Sequence, residues 1–196
     1  MEPTEEWKFP SNGHLIRNRT VLAALTNKQS NEDGTLSNEE INFLLRRADG
    51  GFGIVTTAAS HVMENGQGWH GEMGVWGDHH IPGLTRLAQG LRERGATSLV
   101  QIFHGGMRAP AELIGCTPIS ASINNENTGN EAAREMTSDE IEEMIEAFAA
   151  AAERCEKAGM DGVEIHGAHG YLIAQFLGTK TNRRDDEWGG GLTGRS

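Results

Sequence analysis

Residues 159–171 read Gly-Met-Asp-Gly-Val-Glu-Ile-His-Gly-Ala-His-Gly-Tyr, a short apolar run that ends in two imidazoles and a phenol. The run, 162–166, has the length and β-branched content of a strand, and glycines flank it on both sides. Directly upstream, Ile141, Met144, Ile145, Phe148, Ala152 and Cys155 step by three and four residues, a helical stripe. That stripe starts at Thr137 with Glu140 three residues on, a capping-box spacing, and stops at Gly159. The stretch is therefore a helix leading into a buried strand whose far end carries polar groups.

Working outward, the same unit recurs. Short apolar runs lie at 20–25, 53–59 and 98–103. Between them sit the stripes Ile41, Leu44, Leu45, Ala48 (opened by Ser37 and Glu40) and Leu84, Leu87, Ala88, Leu91, which ends at Gly95. The order β-α-β-α-β-α-β predicts an α/β protein with a parallel sheet and right-handed crossovers. A doubly wound sheet and a (β/α)8 TIM-type barrel both satisfy it. No G-x-G-x-x-G follows the first run, which weakens the dinucleotide-binding sheet. Polar residues gather instead at strand ends, namely Thr26, Gln101, His104, His166 and His169, as in barrel enzymes. The segment 7–19, with its Pro-Ser-Asn-Gly turn, reads as a hairpin or an ordered tail. The loops 60–78 and 104–136 are long for βα connections, a length usually tied to function.

Composition narrows the function classes. The 196 residues carry 28 acidic and 17 basic side chains, a formal net charge of -11, with no basic cluster, so neither nucleic acid nor an anionic membrane surface is an expected partner. No apolar run is long enough to span a bilayer, and the acidic start MEPTEEWKFP does not read as a signal peptide. Cys116 and Cys155 have no ligand spacing; Cys155 falls on the apolar side of its helix and reads as a small core residue. A reduced, cytoplasmic protein is the expectation.

His166, His169 and Tyr171 admit three readings. Imidazole N–H groups can donate to an oxygen that gains negative charge, and a tyrosine, with a reference pKa of about 10, can deliver a proton. The same residues also read as a strand-end histidine satisfied by backbone with a packed tyrosine. The His-x-x-His spacing offers two metal ligands, but no carboxylate or cysteine supports it.

The segments Arg17-Asn-Arg-Thr-Val-Leu-Ala-Ala-Leu-Thr26, Gly50-Gly-Phe-Gly-Ile-Val, Val100-Gln-Ile-Phe-His-Gly-Gly106, Gly159–Leu172, Gln175-Phe-Leu and Thr181-Asn-Arg-Arg-Asp-Asp-Glu-Trp-Gly-Gly190 together resemble the old yellow enzyme family of NAD(P)H:flavin oxidoreductases. The resemblance implies a (β/α)8 barrel with FMN at its C-terminal mouth and NADH or NADPH as reductant. It implies that Ala23, Ala24, Leu25 and Thr26 line the flavin, with Thr26 near its C4 carbonyl. Ala58 would be the small residue beside the ring, and Gln101 the amide on its pyrimidine edge. His166 and His169 would grip the substrate oxygen, His166 also lying near the flavin, and Tyr171 would be the proton donor. The implied reaction moves hydride through the flavin to the β-carbon of an electron-poor alkene, an α,β-unsaturated carbonyl or related small molecule.

Departures from the family pattern follow Gly190: the chain runs Gly191-Leu-Thr-Gly-Arg-Ser, which reads as a terminal irregularity rather than a helix start. Only about the first four βα units are present, against the ~250 residues of a typical barrel, so 1–196 is expected to be the N-terminal part of a single FMN-binding domain, cut before closure. Bare edges on the first and fourth strands, with half of the inward packing missing, predict a poorly stable or self-associating protein. Arg108 reads as a solvated loop cation. Two other functions stay open: a non-catalytic, self-associating half-barrel, and a metal-dependent barrel hydrolase.

Overall fold

A computed structural model of the chain describes residues 2–125 and 132–196; part of the long loop 104–136 lies outside these. The chain opens on an antiparallel hairpin, β1 (Trp7–Lys8) with β2 (Leu15–Ile16), so the N-terminal segment is a hairpin and not a tail. Just after it, the Arg17 guanidinium donates to the carbonyls of Ala48 (2.6 Å), Phe52 (2.6 Å) and Arg94 (2.6 Å). These include carbonyls at the C-terminal ends of two helices, which one planar cation bonds together.

The central sheet contains β3 (Val21–Leu22), β4 (Ile54–His61), β5 (Thr97–Phe103) and β8 (Gly162–Ile165), in that order and all parallel. Between them run α1 (Asn38–Asp49), α2 (Ile81–Glu93) and α4 (Ser138–Lys157). Each helix lays its apolar stripe on the sheet: Ile41, Leu44 and Ala48, then Leu84, Leu87 and Leu91, then Ile141, Met144 and Cys155 join Val55, Val100 and Ile102 in one core. Cys155 is 1% exposed, and burial pushes its thiol up to about 12, so it is an inert core residue. Within 104–136, α3 (Ala111–Ile114) is followed by the parallel pair β6 (Ile119–Ser120) and β7 (Arg134–Glu135).

The helix stops fall where expected. Gly95 and Gly159 adopt φ of 69° and 83°, and the amides of Gly159 and Met160 close on Glu156 and Cys155, a Schellman closure that a residue with a Cβ disfavours. The capping boxes differ. Thr137 and Glu140 form both reciprocal bonds, but at α1 only Ser37 caps. Glu40 is buried and turns its carboxylate to Asn27 (2.9 Å) and to the Ser30 hydroxyl instead.

The first strand is shorter than the apolar run 20–25. Only Val21 and Leu22 find partners, on Ile54 and Val55, because β3 is a sheet edge with a single neighbour. At the other edge Ile165 stays 63% exposed. There, on the helix side of the sheet, Met144, Phe148, Ile165, Phe176 and Trp188 line an apolar groove of about 460 Å³. After β8 come α5 (Leu172–Leu177) and α6 (Leu192–Arg195). The terminal residues thus form one helical turn after Gly191, where an irregular end was expected; Gly191 is extended and its carbonyl accepts from Arg195. No helix among the described residues is long and apolar enough to cross a membrane.

Candidate active site

In a parallel sheet all C-terminal strand ends lie on one side, so residues just past each strand converge. Ala24 and Thr26 after β3, Ala59 in β4, Gln101 in β5 and His166, His169 and Tyr171 after β8 line one cavity of about 100 Å³, together with Trp69. Six of the residues singled out from sequence therefore meet. Ala23 and Leu25 belong to the same extended segment but are exposed and do not line the cavity. His104 does not reach it either. It is 1% exposed, its Nδ1 accepts from Gly106 N and its Nε2 donates to Asn65 Oδ1 (3.0 Å), and burial holds it down to about 3.

The small residue of β4 at the cavity is Ala59, not Ala58. Pairing runs Thr56 with Leu99, then Ala59 with Gln101, so β4 holds one extra residue there. A bulge of this kind moves the next side chains to the opposite face. Thr57 pins it, donating its hydroxyl to Ala58 O (2.8 Å) and accepting from Gln101 N (3.3 Å). Ala58 ends 4% exposed in the packed interior, while Ala59 sits beside Gln101. The Gln101 amide in turn donates to Glu164 Oε1 (2.5 Å), which fixes its plane.

At β8 the strand alternation turns Ile165 to the apolar groove and His166 to the cavity. Backbone pairing continues one residue past the strand, from His166 N to Ile102 O (3.0 Å). His166 is 7% exposed, and burial, then the neighbouring His169, hold its imidazole below the ordinary range. Its Nδ1 accepts from Ala168 N (3.2 Å), so the neutral ring carries its proton on Nε2, 3.2 Å from His169 Nδ1. His169 then receives at Nδ1 and keeps an N–H on Nε2. His169 also holds φ of 55°, a left-handed conformation that costs a non-glycine residue on the order of 1 kcal/mol. The buried Gln175 amide donates to Gly170 O (2.7 Å) and accepts from Met107 N (3.1 Å), clamping the turn that aims His169.

Behind the cavity stands Phe103, which is fully buried and which sequence reading missed. Its ring stacks on Trp69 (5.6 Å), meets Tyr171 edge-on (5.0 Å) and lies 6.0 Å from His166. Tyr171 and His166 are perpendicular at 5.0 Å. Arg108, expected to be a solvated cation, is exposed but lies 6.0 Å over the Tyr171 ring, because the intervening Gly170 leaves room for its guanidinium. Among the described residues no group of three or more His, Cys, Asp or Glu is arranged to hold a metal ion.

The family described as NADH:flavin oxidoreductase / NADH oxidase matches residues 11–196. A probable NADH-dependent flavin oxidoreductase of Bacillus subtilis, YqiG, is 42% identical over 186 residues, 95% of this chain and 50% of its own. Among solved structures, a 2-naphthoyl-CoA reductase in complex with 2-naphthoyl-CoA superposes with a TM-score of 0.94 at 35% identity, covering 98% of this chain and 31% of the other. The old yellow enzyme homologue from Zymomonas mobilis superposes at 0.91 with 27% identity, covering 100% of this chain and 56% of the other. The chain thus spans about half the length of the Bacillus relative. Its four parallel strands and outer helices correspond to the N-terminal part of the TIM-type barrel of these enzymes. The chain belongs to the NADH:flavin oxidoreductase / NADH oxidase family.

Proposed function

We propose that this chain is the N-terminal half of an FMN-dependent ene-reductase barrel, which reduces electron-poor alkenes at the expense of NADH or NADPH. The observation that carries the reading is the convergence of Ala24, Thr26, Ala59, Gln101, His166, His169 and Tyr171 on one cavity at the strand C-termini. The donor set suits a flavin. Ala24 and Ala59 present methyl groups over which a flat ring can lie, while Thr26 and Gln101 supply a hydroxyl and a plane-fixed amide for its polar edge. The phosphate would be held elsewhere, since barrels of this type bind it after strands seven and eight.

When bound, FMN supplies hydride transfer, from the reduced nicotinamide to the β-carbon of the acceptor. The rest falls to this chain's residues. The acceptor's carbonyl oxygen sits against His166 and His169, whose N–H groups meet the negative charge that grows as the alkene is reduced. A neutral His166 with its proton fixed on Nε2 is a donor that needs no reorientation. Tyr171 gives its proton to the α-carbon. Its ring is held by Phe103 and His166, so the hydroxyl is positioned before the acceptor arrives. Acceptors are α,β-unsaturated carbonyls and related conjugated compounds; the 2-naphthoyl-CoA bound by one structural neighbour is an aryl-conjugated thioester of that kind.

The test is the full-length protein purified with its flavin. Anaerobic NADH or NADPH should bleach the flavin absorbance, and cyclohexenone should restore it. A colourless protein that does not take up FMN would refute the proposal.

A further inference from the structure

Trp69 lines the same cavity as the groups assigned above, on the loop that follows β4, and nothing in the proposed reaction uses it. The loop is built rather than loose. Glu72 is 1% exposed, with its Oε1 2.8 Å from His61 Nδ1 and its Oε2 accepting from Gly68 N (2.9 Å), and its carboxyl is also hydrogen-bonded by the Trp69 backbone. Burial raises the Glu72 carboxyl well above the ordinary range and drives the His61 imidazole down to about 3. Gly66 and Gly68 let the loop lie flat on this pair and on His104. A Cβ on Gly66 would fall 2.4 Å from the His104 ring, and one on Gly68 3.1 Å from Glu72 Oε2. Gly105 N closes on Gly66 O (2.8 Å) and Ser30 N on Gly71 O (3.1 Å). The indole so delivered is half-buried, stacked on Phe103, the same ring that supports His166 and Tyr171.

We infer that Trp69 is the acceptor-selecting wall of the site, favouring planar aromatic conjugated acceptors, and that Glu72 with His61 is the positioning pair that holds it there. The inference rests on the functional reading above and deepens it. An indole already stacked on one face offers an aromatic ligand a rigid surface without an ordering cost, and such aromatic contacts add affinity beyond the area they bury. A small aliphatic enone gains little from the same surface.

The experiment uses the full-length protein carrying oxidised FMN, with coumarin as the planar aromatic probe and cyclohexenone as the aliphatic one. Kd is read from the perturbation of flavin absorbance and, independently, from quenching of tryptophan emission. Trp69→Ala should weaken coumarin about tenfold while cyclohexenone changes less than about threefold, and Trp69→Phe should keep most of the preference. Glu72→Ala should lose the same preference, Glu72→Gln should retain it, and adding Glu72→Ala to Trp69→Ala should change the ratio no further. That non-additivity is what a merely structural role would not produce. If the Glu72→Ala protein fails to fold, the Trp69 variants and Glu72→Gln still decide. A flavoprotein reduced by NAD(P)H whose coumarin-to-cyclohexenone ratio is unchanged in Trp69→Ala overturns this inference and leaves the ene-reductase reading standing. A protein without flavin removes both.

Discussion

Acid should unfold this protein through two imidazoles that the fold keeps neutral. His104 is buried against His61 and held down to about 3, chiefly by loss of solvent. His80 is 3% exposed, its ring crowded by Gly34, Gly74 and Trp76. Burial, then His79, bring it to about 4. Both values lie below that of an unfolded histidine, about 6.5, so the unfolded chain binds more protons between that value and the folded one. Stability from these groups is full above about 6.5 and is lost as the pH falls through the window toward 4 for His80 and 3 for His104.

Between pH 7 and pH 5 each gives up about 2 kcal/mol, set by the unfolded pKa and insensitive to how far below 5 the folded one lies. His61 acts in the same sense, and Glu72, whose carboxyl is raised in the fold, opposes it. Glu40, also raised by burial, recovers part of the loss. The net expectation is a drop of about 2–4 kcal/mol, a large share of a typical 5–15. Urea unfolding at pH 5, 6 and 7 measures it, with the slope m checked for constancy. Replacing His104 with Gln should lower stability at pH 7 but flatten the pH dependence by about 2 kcal/mol. Equal unfolding free energies at pH 5 and 7, or a His104 ring titrating near 6.5 by NMR, would refute the reasoning.

Three further outcomes bear on the site. In the full-length enzyme, Tyr171→Phe should leave flavin reduction by NAD(P)H near normal and slow alkene reduction on the order of 10²–10⁴, read by stopped-flow absorbance; equal slowing of both halves would remove Tyr171 as proton donor. His169→Ala should retain flavin but lose alkene turnover and carbonyl-ligand affinity together, whereas a packing role would alter stability alone. Phe103→Ala should cost about 3–5 kcal/mol in thermal or urea unfolding, because a fully buried ring shared by Trp69, His166 and Tyr171 leaves a cavity that its neighbours cannot fill; a loss below 1 kcal/mol would contradict this packing.

The parts of the fold that were legible in the sequence are those governed by local periodicity and end chemistry. The stripes of α1, α2 and α4, the cap at Thr137 and the stops at Gly95 and Gly159 all appear where the 3.6-residue pattern and the cap residues place them. The convergence of Thr26, Gln101, His166, His169 and Tyr171 was also legible, since parallel strands put their C-terminal ends on one side. Ala58 was misplaced for a physical reason. A β-bulge inserts one residue without changing composition or hydrophobicity, and nothing in Thr56-Thr-Ala-Ala announces it. Glu40 carried a sound capping-box spacing, yet buried donors at Asn27 and Ser30 outcompeted the solvent-facing cap. Trp69 left only a weak signal, an aromatic among glycines in a long loop, because its position depends on the loop folding back through Glu72 onto His61 of β4 and on Phe103 of β5.

Strain at His169 and neutrality at His166 have a common consequence for the site. A left-handed residue would relax toward an ordinary conformation if its turn were free, and Gln175 prevents this by bonding Gly170 O on one side and Met107 N on the other. The cost of the conformation is thus met during folding, by a buried amide with all its partners inside the chain. The two imidazoles then stand 4.9 Å apart with one hydrogen bond between them, and under the proposed function an acceptor oxygen would exchange that bond for one from each ring. A site held this way gains more in the transition state than in binding, because each donor's strength grows with the charge it faces while its position was fixed beforehand.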